Sequence, residues 1–187
     1  MTRPRVTRGP IDDLAATVAD LQARLRNLET VGHRHPALPY VPENSPRVYR
    51  TTNQSIPTGT TPTVISWEAV DDTTWNAWVI GSPTLLTAPV TGRYWASAYV
   101  TWAANATGVR TLAILRTSDT GTLASVQDDT LSTAANTMRQ VATTPAFSLT
   151  AGDSVYCEVT QTSGGALNLR ADIANNLAPS FSLFLLA

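Results

Sequence analysis

The stretch Arg93-Tyr94-Trp95-Ala96-Ser97-Ala98-Tyr99-Val100-Thr101-Trp102-Ala103-Ala104 has the two-residue period of a β-strand. Side chains along a strand point alternately to opposite sides, and here both sides carry aromatic residues. Tyr94 and Trp102 fall on one side, and Trp95 and Tyr99 fall on the other. One side can enter a hydrophobic core, and the other then needs a second apolar partner. The stretch therefore predicts a strand that is covered on both sides in an oligomer.

Runs with the same period fill the chain from about residue 47 onward, and turn-forming Gly, Pro, Asn and Asp residues separate them. The predicted strands are Val48–Ser55, Thr61–Val70, Thr84–Pro89, Arg93–Ala104, Arg110–Thr117, Thr122–Asp128, Met138–Leu149, Ser154–Thr162, Ala166–Ile173 and Ser180–Leu186. Eight to ten short strands at this spacing are typical of a β-sandwich or barrel. The sequence therefore predicts a mainly β head over residues 47–187.

The final run of the β region, residues 181–187, is apolar on both sides. A strand of this kind at an exposed sheet edge would promote aggregation. We therefore expect one side to pack inside the sandwich and the other, with Phe184 and Leu186, to pack on the axis of a trimer.

A heptad pattern lies upstream of the β region. Its apolar positions alternate at spacings of three and four residues: Ile11, Leu14, Val18, Leu21, Leu25 and Leu28. Such a seam is buried only against helices of other chains, which predicts a coiled-coil stalk over residues 11–31. Two of the three first heptad positions carry a β-branched residue, Ile11 or Val18, and every fourth position carries Leu, which is a pattern that favours a dimer. Arg24 and Glu29, however, belong to a short Arg-apolar-x-x-apolar-Glu motif that resembles one found in trimeric coiled coils. We predict a trimer, because the head favours it as well.

Five segments of the β region occur in a characteristic order and spacing: Arg47–Pro57, Thr91–Tyr94, Leu149–Val155, Gln161–Gly165 and Ser182–Leu186. Together they resemble the trimeric jelly-roll head shared by tumour necrosis factor and the complement-type globular domains, in its bacteriophage version. The resemblance covers residues 47–187. It implies a jelly-roll β-sandwich and threefold assembly around an axis lined by aromatic and aliphatic side chains. No calcium-site motif of the complement-type heads can be placed on particular residues here.

The segments that flank the stalk lack periodicity. Residues 1–10 carry Arg3, Arg5 and Arg8 and have two interpretations: a solvated tail, or a basic anchor arm that docks on the acidic surface of another virion protein. Residues 32–46 are rich in proline, which predicts an extended and semi-rigid neck.

The neck contains His33 and His35, the only histidines of the chain. In an extended segment, residues two apart point the same way, so a trimer would bring its imidazoles around the axis. Imidazole is a common ligand of transition metals, and trimeric phage fibres are similar in carrying axial His-x-His iron sites. The pair predicts an axial iron or nickel site, and the alternative is two solvated histidines.

Asp72, Trp75 and Trp78 lie close together in a loop-like stretch. Exposed Trp rings beside acidic and amide groups would form a sugar-stacking platform for a host-surface glycan. The alternative is that these Trp side chains are buried in the sandwich or between subunits, as large aromatic residues often are.

Composition argues against several functional classes. The net charge is −1, so no strong overall field attracts nucleic acid or a membrane surface. Catalysis by a nucleophile lacks its usual base, because the predicted head has no His and the chain has no Lys. We therefore predict a protein that is not an enzyme, and a carbohydrate-active enzyme that uses paired carboxylates is the least favoured alternative.

A coiled-coil stalk followed by such a head resembles a phage fibre, head fibre, minor tail protein or capsid decoration protein. We predict a homotrimeric virion protein, made in the bacterial host cytoplasm, whose head binds a host-surface ligand or is displayed on the particle. The main alternative is a purely structural cementing or head-fibre trimer with no host ligand.

Overall fold

The structure is a computed structural model that describes residues 17–24, 45–71, 76–119, 121–128, 138–171 and 178–186. The chain divides into two units, Met1–Val41 and Pro42–Ala187. In the first unit, residues 17–24 form an exposed helix, α1. No helix among the described residues has the length and apolarity needed to cross a membrane.

The described part of the second unit consists of strands and their connections. The strands are β1 (Arg47–Tyr49), β2 (Gln54–Ile56), β3 (Gly59–Val64), β4 (Ala69–Val70), β5 (Leu85–Thr87), β6 (Gly92–Trp102), β7 (Arg110–Arg116), β8 (Thr122–Asp128), β9 (Met138–Thr143), β10 (Phe147–Leu149), β11 (Ser154–Gln161), β12 (Leu167–Leu169) and β13 (Ser180–Leu186).

These strands form two antiparallel sheets. The larger sheet has the order β2-β12-β6-β13-β1-β4, and β9 and β10 also pair with β6. The smaller sheet has the order β3-β11-β7-β8, and β5 also pairs with β11. Side chains of both sheets contribute to one buried hydrophobic cluster. The predicted mainly β sandwich is therefore confirmed.

The core contains several large aromatic side chains. Trp67 and Trp102 are almost completely buried, and the Trp67 ring stacks on Phe181 with 5.9 Å between centroids. Full burial of an aromatic side chain of this size contributes about 4–6 kcal/mol of transfer free energy. Cys157 is also fully buried on β11, and burial raises the pKa of its thiol well above the usual value. It therefore packs as a small apolar side chain.

A buried polar chain connects the two sheets through the core. The Trp102 indole N–H donates to Gln140 Oε1 at 2.8 Å, and Gln140 Nε2 donates to the backbone oxygen of Arg110 at 3.0 Å. Gln140 lies on β9 of the larger sheet, and Arg110 lies on β7 of the smaller sheet. The hydrogen bonds satisfy groups that would be costly to bury alone.

The predicted strand Val48–Ser55 was wrong as one continuous element. It is interrupted after β1, where the Arg50 side chain is buried instead of facing solvent. The Arg50 guanidinium donates to the backbone oxygens of Ser66 and Thr52 and, at 2.8 Å, to Glu68 Oε1. These contacts hold residues 50–53 in a bend, so β1 and β2 pair with different strands of the larger sheet.

Glu68 completes this clamp from the other side. Its Oε2 accepts hydrogen bonds from the backbone N–H groups of Thr51 and Thr52 at 2.7 and 2.8 Å, and from the Thr51 hydroxyl at 2.8 Å. Its Oε1 accepts from Arg50 and, at 2.5 Å, from the Thr52 hydroxyl. Burial alone would raise the Glu68 pKa, but the hydrogen bonds outweigh it and lower the pKa to about 2.

Two further predicted strands are also divided in the structure. Thr61–Val70 is not one strand, because β3 pairs in the smaller sheet and β4 pairs in the larger one, so the chain crosses between sheets at residues 65–68. Met138–Leu149 is divided into β9 and β10 around Pro145, which has no N–H to donate to a ladder. Of the predicted strand Ala166–Ile173, the described part up to residue 171 contains only β12.

Gly108 occupies a turn that only glycine fits. Its φ is +77°, and a Cβ atom built on it would lie 2.3 Å from the backbone oxygen of Thr162. This contact is with backbone atoms, which cannot rotate away. The close approach lets the turn before β7 lie directly on the end of β11, where Thr162 N donates to the backbone oxygen of Val109 at 3.0 Å.

Candidate functional site

Among the described residues, the outer side of the larger sheet carries a set of aromatic side chains that lie outside the core. Along β6, Tyr94, Ala96 and Ala98 are fully buried, whereas Trp95 and Tyr99 alternate with them and are half-buried. The sequence placed Trp95 and Tyr99 on one side of the strand and Tyr94 on the other, and the structure shows that the side with Tyr94 faces the core.

Neighbouring strands extend this outer side into an apolar surface. Phe184 on β13 pairs with Trp95 in the ladder, and their rings are stacked in parallel with 4.1 Å between centroids and 8° between planes. Val141 on β9 lies beside Tyr99 and is 55% exposed, and Leu186 is 37% exposed. We call Trp95, Tyr99, Val141, Phe184 and Leu186 the aromatic face.

The aromatic face includes both head residues that the sequence assigned to trimerisation. Phe184 and Leu186 point outward, whereas Phe181 and Leu183 of the same strand are buried in the core. The expectation that β13 is apolar on both of its sides is therefore confirmed. Assembly through the outer side stays a prediction.

The helical residues assigned to trimerisation are only partly described. Val18, Leu21 and Arg24 lie on α1, where Val18 is 45% and Leu21 is 56% exposed. An apolar pair three residues apart on an exposed helix is consistent with a seam that another helix covers. The remaining members of the predicted seam lie outside the described residues: Ile11, Leu14, Leu25, Leu28 and Glu29.

Of the predicted sugar platform, the structure describes only Trp78; Asp72 and Trp75 lie outside the described residues. Trp78 is half-buried and packs against the core, and its indole N–H donates to the backbone oxygen of Pro83 at 3.3 Å. This environment resembles the alternative in which the Trp side chains serve packing.

The predicted anchor arm and metal site also fall outside the described residues. This applies to Arg3, Arg5 and Arg8 and to His33 and His35. Within the described ranges, no group of three or more His, Cys, Asp or Glu side chains is arranged to hold a metal ion.

Sequence reasoning missed a polar cavity on the outer side of the larger sheet. It has a volume of about 270 Å³ and is lined by Arg47, Tyr99, Arg139, Ala178 and Ser180. These residues come from β1, β6, β9 and β13 and the segment before β13. No sequence motif connects positions so far apart, and only the pairing of the strands brings them together.

Two arginines of different strands provide the charge of this cavity. Arg47 NH1 pairs with Asp71 Oδ2 at 2.7 Å, and its guanidinium lies 5.6 Å from the centre of the Tyr49 ring. Arg139 is exposed and forms no ion pair with any described residue. The Tyr99 hydroxyl accepts a hydrogen bond from Thr101 at 2.9 Å, so its own O–H can still donate.

The two antiparallel sheets and their strand order define a jelly roll of the type found in complement C1q globular domains and tumour necrosis factor. The structure is similar to the globular domain of the zebrafish complement 1qA protein, with a TM-score of 0.52 and 15% sequence identity. The match covers 76% of this chain and 97% of the zebrafish domain. No family model matches this sequence, and a comparison with curated proteins gives no match either. The likeness establishes the fold of the head.

Proposed function

We propose that this chain is a non-enzymatic homotrimeric virion protein of a bacteriophage, and that its jelly-roll head binds a host-surface ligand or is displayed on the particle. In this role it would be a fibre, a minor tail protein or a capsid decoration protein. The observation that carries the proposal is the aromatic face on the outer side of the larger sheet.

The aromatic face supports self-association because it places exposed and half-buried apolar side chains on one outer side of the larger sheet. A polar row of Ser97, Ser182 and Thr143 lies between its Trp95–Phe184 stack and its Tyr99–Val141 pair. Trp95 and Phe184 form a flat stack, and the exposed Val141 and Leu186 lie to either side. Large aromatic side chains dominate the energetics of protein interfaces. Around a threefold axis, each copy would cover this face with residues of the other two.

The predicted stalk supports the same assembly from a separate part of the chain. The heptad seam over residues 11–28 requires partner helices, and the exposed Val18 and Leu21 of α1 belong to it. A trimeric stalk and a trimeric head share one symmetry. Association of three stalks therefore raises the effective concentration of the three heads for one another, and association of the heads does the same for the stalks.

Trimerisation would also provide the mechanism of binding. Three identical heads on one stalk convert weak contacts with a repetitive host surface into avid attachment. The basic arm with Arg3, Arg5 and Arg8 would attach the stalk to another virion protein, and His33 and His35 would bind iron or nickel on the axis.

The assembly can be tested by sedimentation of the full chain at micromolar concentration. We expect a trimer for the unchanged protein and dissociation for Phe184→Asp, because a carboxylate would be buried against the Trp95 ring of the aromatic face. Tyr156→Asp is the matched control, since Tyr156 is a half-buried aromatic residue on β11 of the smaller sheet. A well-folded single chain for the unchanged protein, or equal dissociation of both variants, would contradict the proposal.

The role on the particle requires a second measurement. Labelled trimers that bind intact host cells would support attachment. Trimers found at capsid symmetry axes, with no affinity for cells, would instead support a purely structural cementing role.

A further inference from the structure

We propose that the cavity between Arg47 and Arg139 binds a small carboxylate ligand, of which an acidic monosaccharide is the best-fitting class. The inference names a ligand class for the head, and it rests on the proposed function only for its biological role. All of the described lining residues belong to one chain, and one of them, Tyr99, is shared with the aromatic face.

The charge of the cavity favours a monoanion. Arg47 and Arg139 contribute two positive charges, and Asp71, which pairs with Arg47, contributes one negative charge. The net charge of these three groups is therefore +1, and no acidic side chain lines the cavity among the described residues. A carboxylate balances this charge, whereas a phosphate dianion would exceed it.

The hydrogen-bond donors are suited to the same group. A guanidinium presents a planar array of N–H donors that matches the two oxygens of a carboxylate. None of the described residues accepts a hydrogen bond from the Arg139 guanidinium, which lines the cavity. Only one amino group of Arg47 is used by Asp71.

The remaining polar groups match the hydroxyl groups of a sugar. The Tyr99 O–H can donate because its oxygen already accepts from Thr101, and the Ser180 hydroxyl lies across the ladder from Tyr99. A volume of about 270 Å³ lies near the lower end of small-molecule pockets, which begin at about 300 Å³. One monosaccharide ring is the size that this space suits.

The test is calorimetric titration of the full chain with D-glucuronate, with D-glucose as the neutral probe of matched shape. We expect saturable binding of glucuronate and none of glucose over the same concentration range. Arg139→Gln should weaken glucuronate binding about tenfold or more, because it removes a charge-assisted hydrogen bond. Arg139 is exposed, so this variant should fold normally.

Arg93→Gln is the control, because Arg93 is an exposed arginine on β6 that does not line this cavity. It should leave the glucuronate affinity unchanged. Absence of saturable glucuronate binding, equal binding of glucose, or an unchanged affinity in Arg139→Gln would each overturn the inference. Sedimentation of the same samples separates the two proposals: a trimer that does not bind glucuronate overturns only this one, and a monomer that binds it overturns only the assembly.

Discussion

The Arg50–Glu68 clamp gives the head a stability component that depends on pH. Replacing Glu68 by Gln removes the negative charge beside the buried Arg50 guanidinium. Both Glu68 oxygens accept hydrogen bonds from N–H or O–H groups. In either orientation of the Gln side chain, its NH2 group would therefore face other donors and could not replace these hydrogen bonds. We therefore expect Glu68→Gln to destabilise the head at neutral pH.

The size of the effect follows from the Glu68 pKa. Lowering this pKa from 4.5 to about 2 corresponds to at most about 3.4 kcal/mol of stabilisation of the charged carboxylate in the folded protein. Because 28% of the Glu68 side chain is exposed, screening by solvent reduces this value, and we expect about 2 kcal/mol.

The sign of the pH dependence is fixed by the direction of the shift. A carboxyl whose pKa is lowered on folding contributes its full stability above the unfolded pKa of 4.5. This contribution is lost as the pH falls toward the folded value of about 2. The difference in unfolding free energy between the unchanged protein and Glu68→Gln should therefore narrow between pH 5 and pH 2.5.

Urea denaturation at fixed protein concentration, followed by Trp fluorescence, measures this difference. Asp71→Asn is the control, because Asp71 forms an exposed ion pair with Arg47 that should contribute less than about 1 kcal/mol. A difference for Glu68→Gln that stays constant from pH 7 to pH 2.5, or that equals the effect of Asp71→Asn, would refute the reasoning.

Three further outcomes are expected. Gly108→Ala should lower the unfolding free energy by more than about 2 kcal/mol, because the new methyl group would collide with the backbone of Thr162. Gly164→Ala should lower it by only about 1 kcal/mol, because Gly164 has a φ of +89° but open space around it. Equal losses for the two variants in urea denaturation would contradict the turn geometry. Cys157 should react with a thiol reagent only when the protein unfolds, since the thiol is buried and its pKa is raised; rapid modification of the native protein at pH 8 would exclude this packing. Elemental analysis of chelator-washed trimers should find about one iron or nickel atom per trimer and none after His33 and His35 are both changed to Ala; metal retained by the double variant would remove these ligands.

The two-residue period was sufficient to locate most strands, because alternation records which side of a strand is buried. It placed β6 and β13 correctly, separated Trp95 from Tyr94 and identified the outward position of Phe184. The period did not predict the strand breaks at which the chain leaves one sheet, because polar and apolar residues continue to alternate there. Arg50 is an example. From the sequence, a charged residue at this position is expected to face solvent, and its burial is favourable only because it pairs with Glu68, 18 residues away.

The cavity between Arg47 and Arg139 could not be predicted from the two-residue period. Arg47 and Arg139 are far apart in sequence and each resembles an ordinary surface arginine. Their proximity depends on the strand order of the larger sheet, in which β1 follows β13 and β9 pairs with β6. Local residue patterns contain no information on that order.

The pairing of β1 with β13 has a consequence for biosynthesis. Val48 lies opposite Phe181, so neighbouring strands of the larger sheet come from widely separated parts of the sequence, and β13 separates β1 from β6. A nascent chain cannot complete this sheet until Leu186 has emerged from the ribosome, and until then β1 and β6 each have an unsatisfied ladder edge. Such non-local topology folds slowly. Premature termination before Ser180 should therefore yield insoluble fragments rather than a smaller folded head.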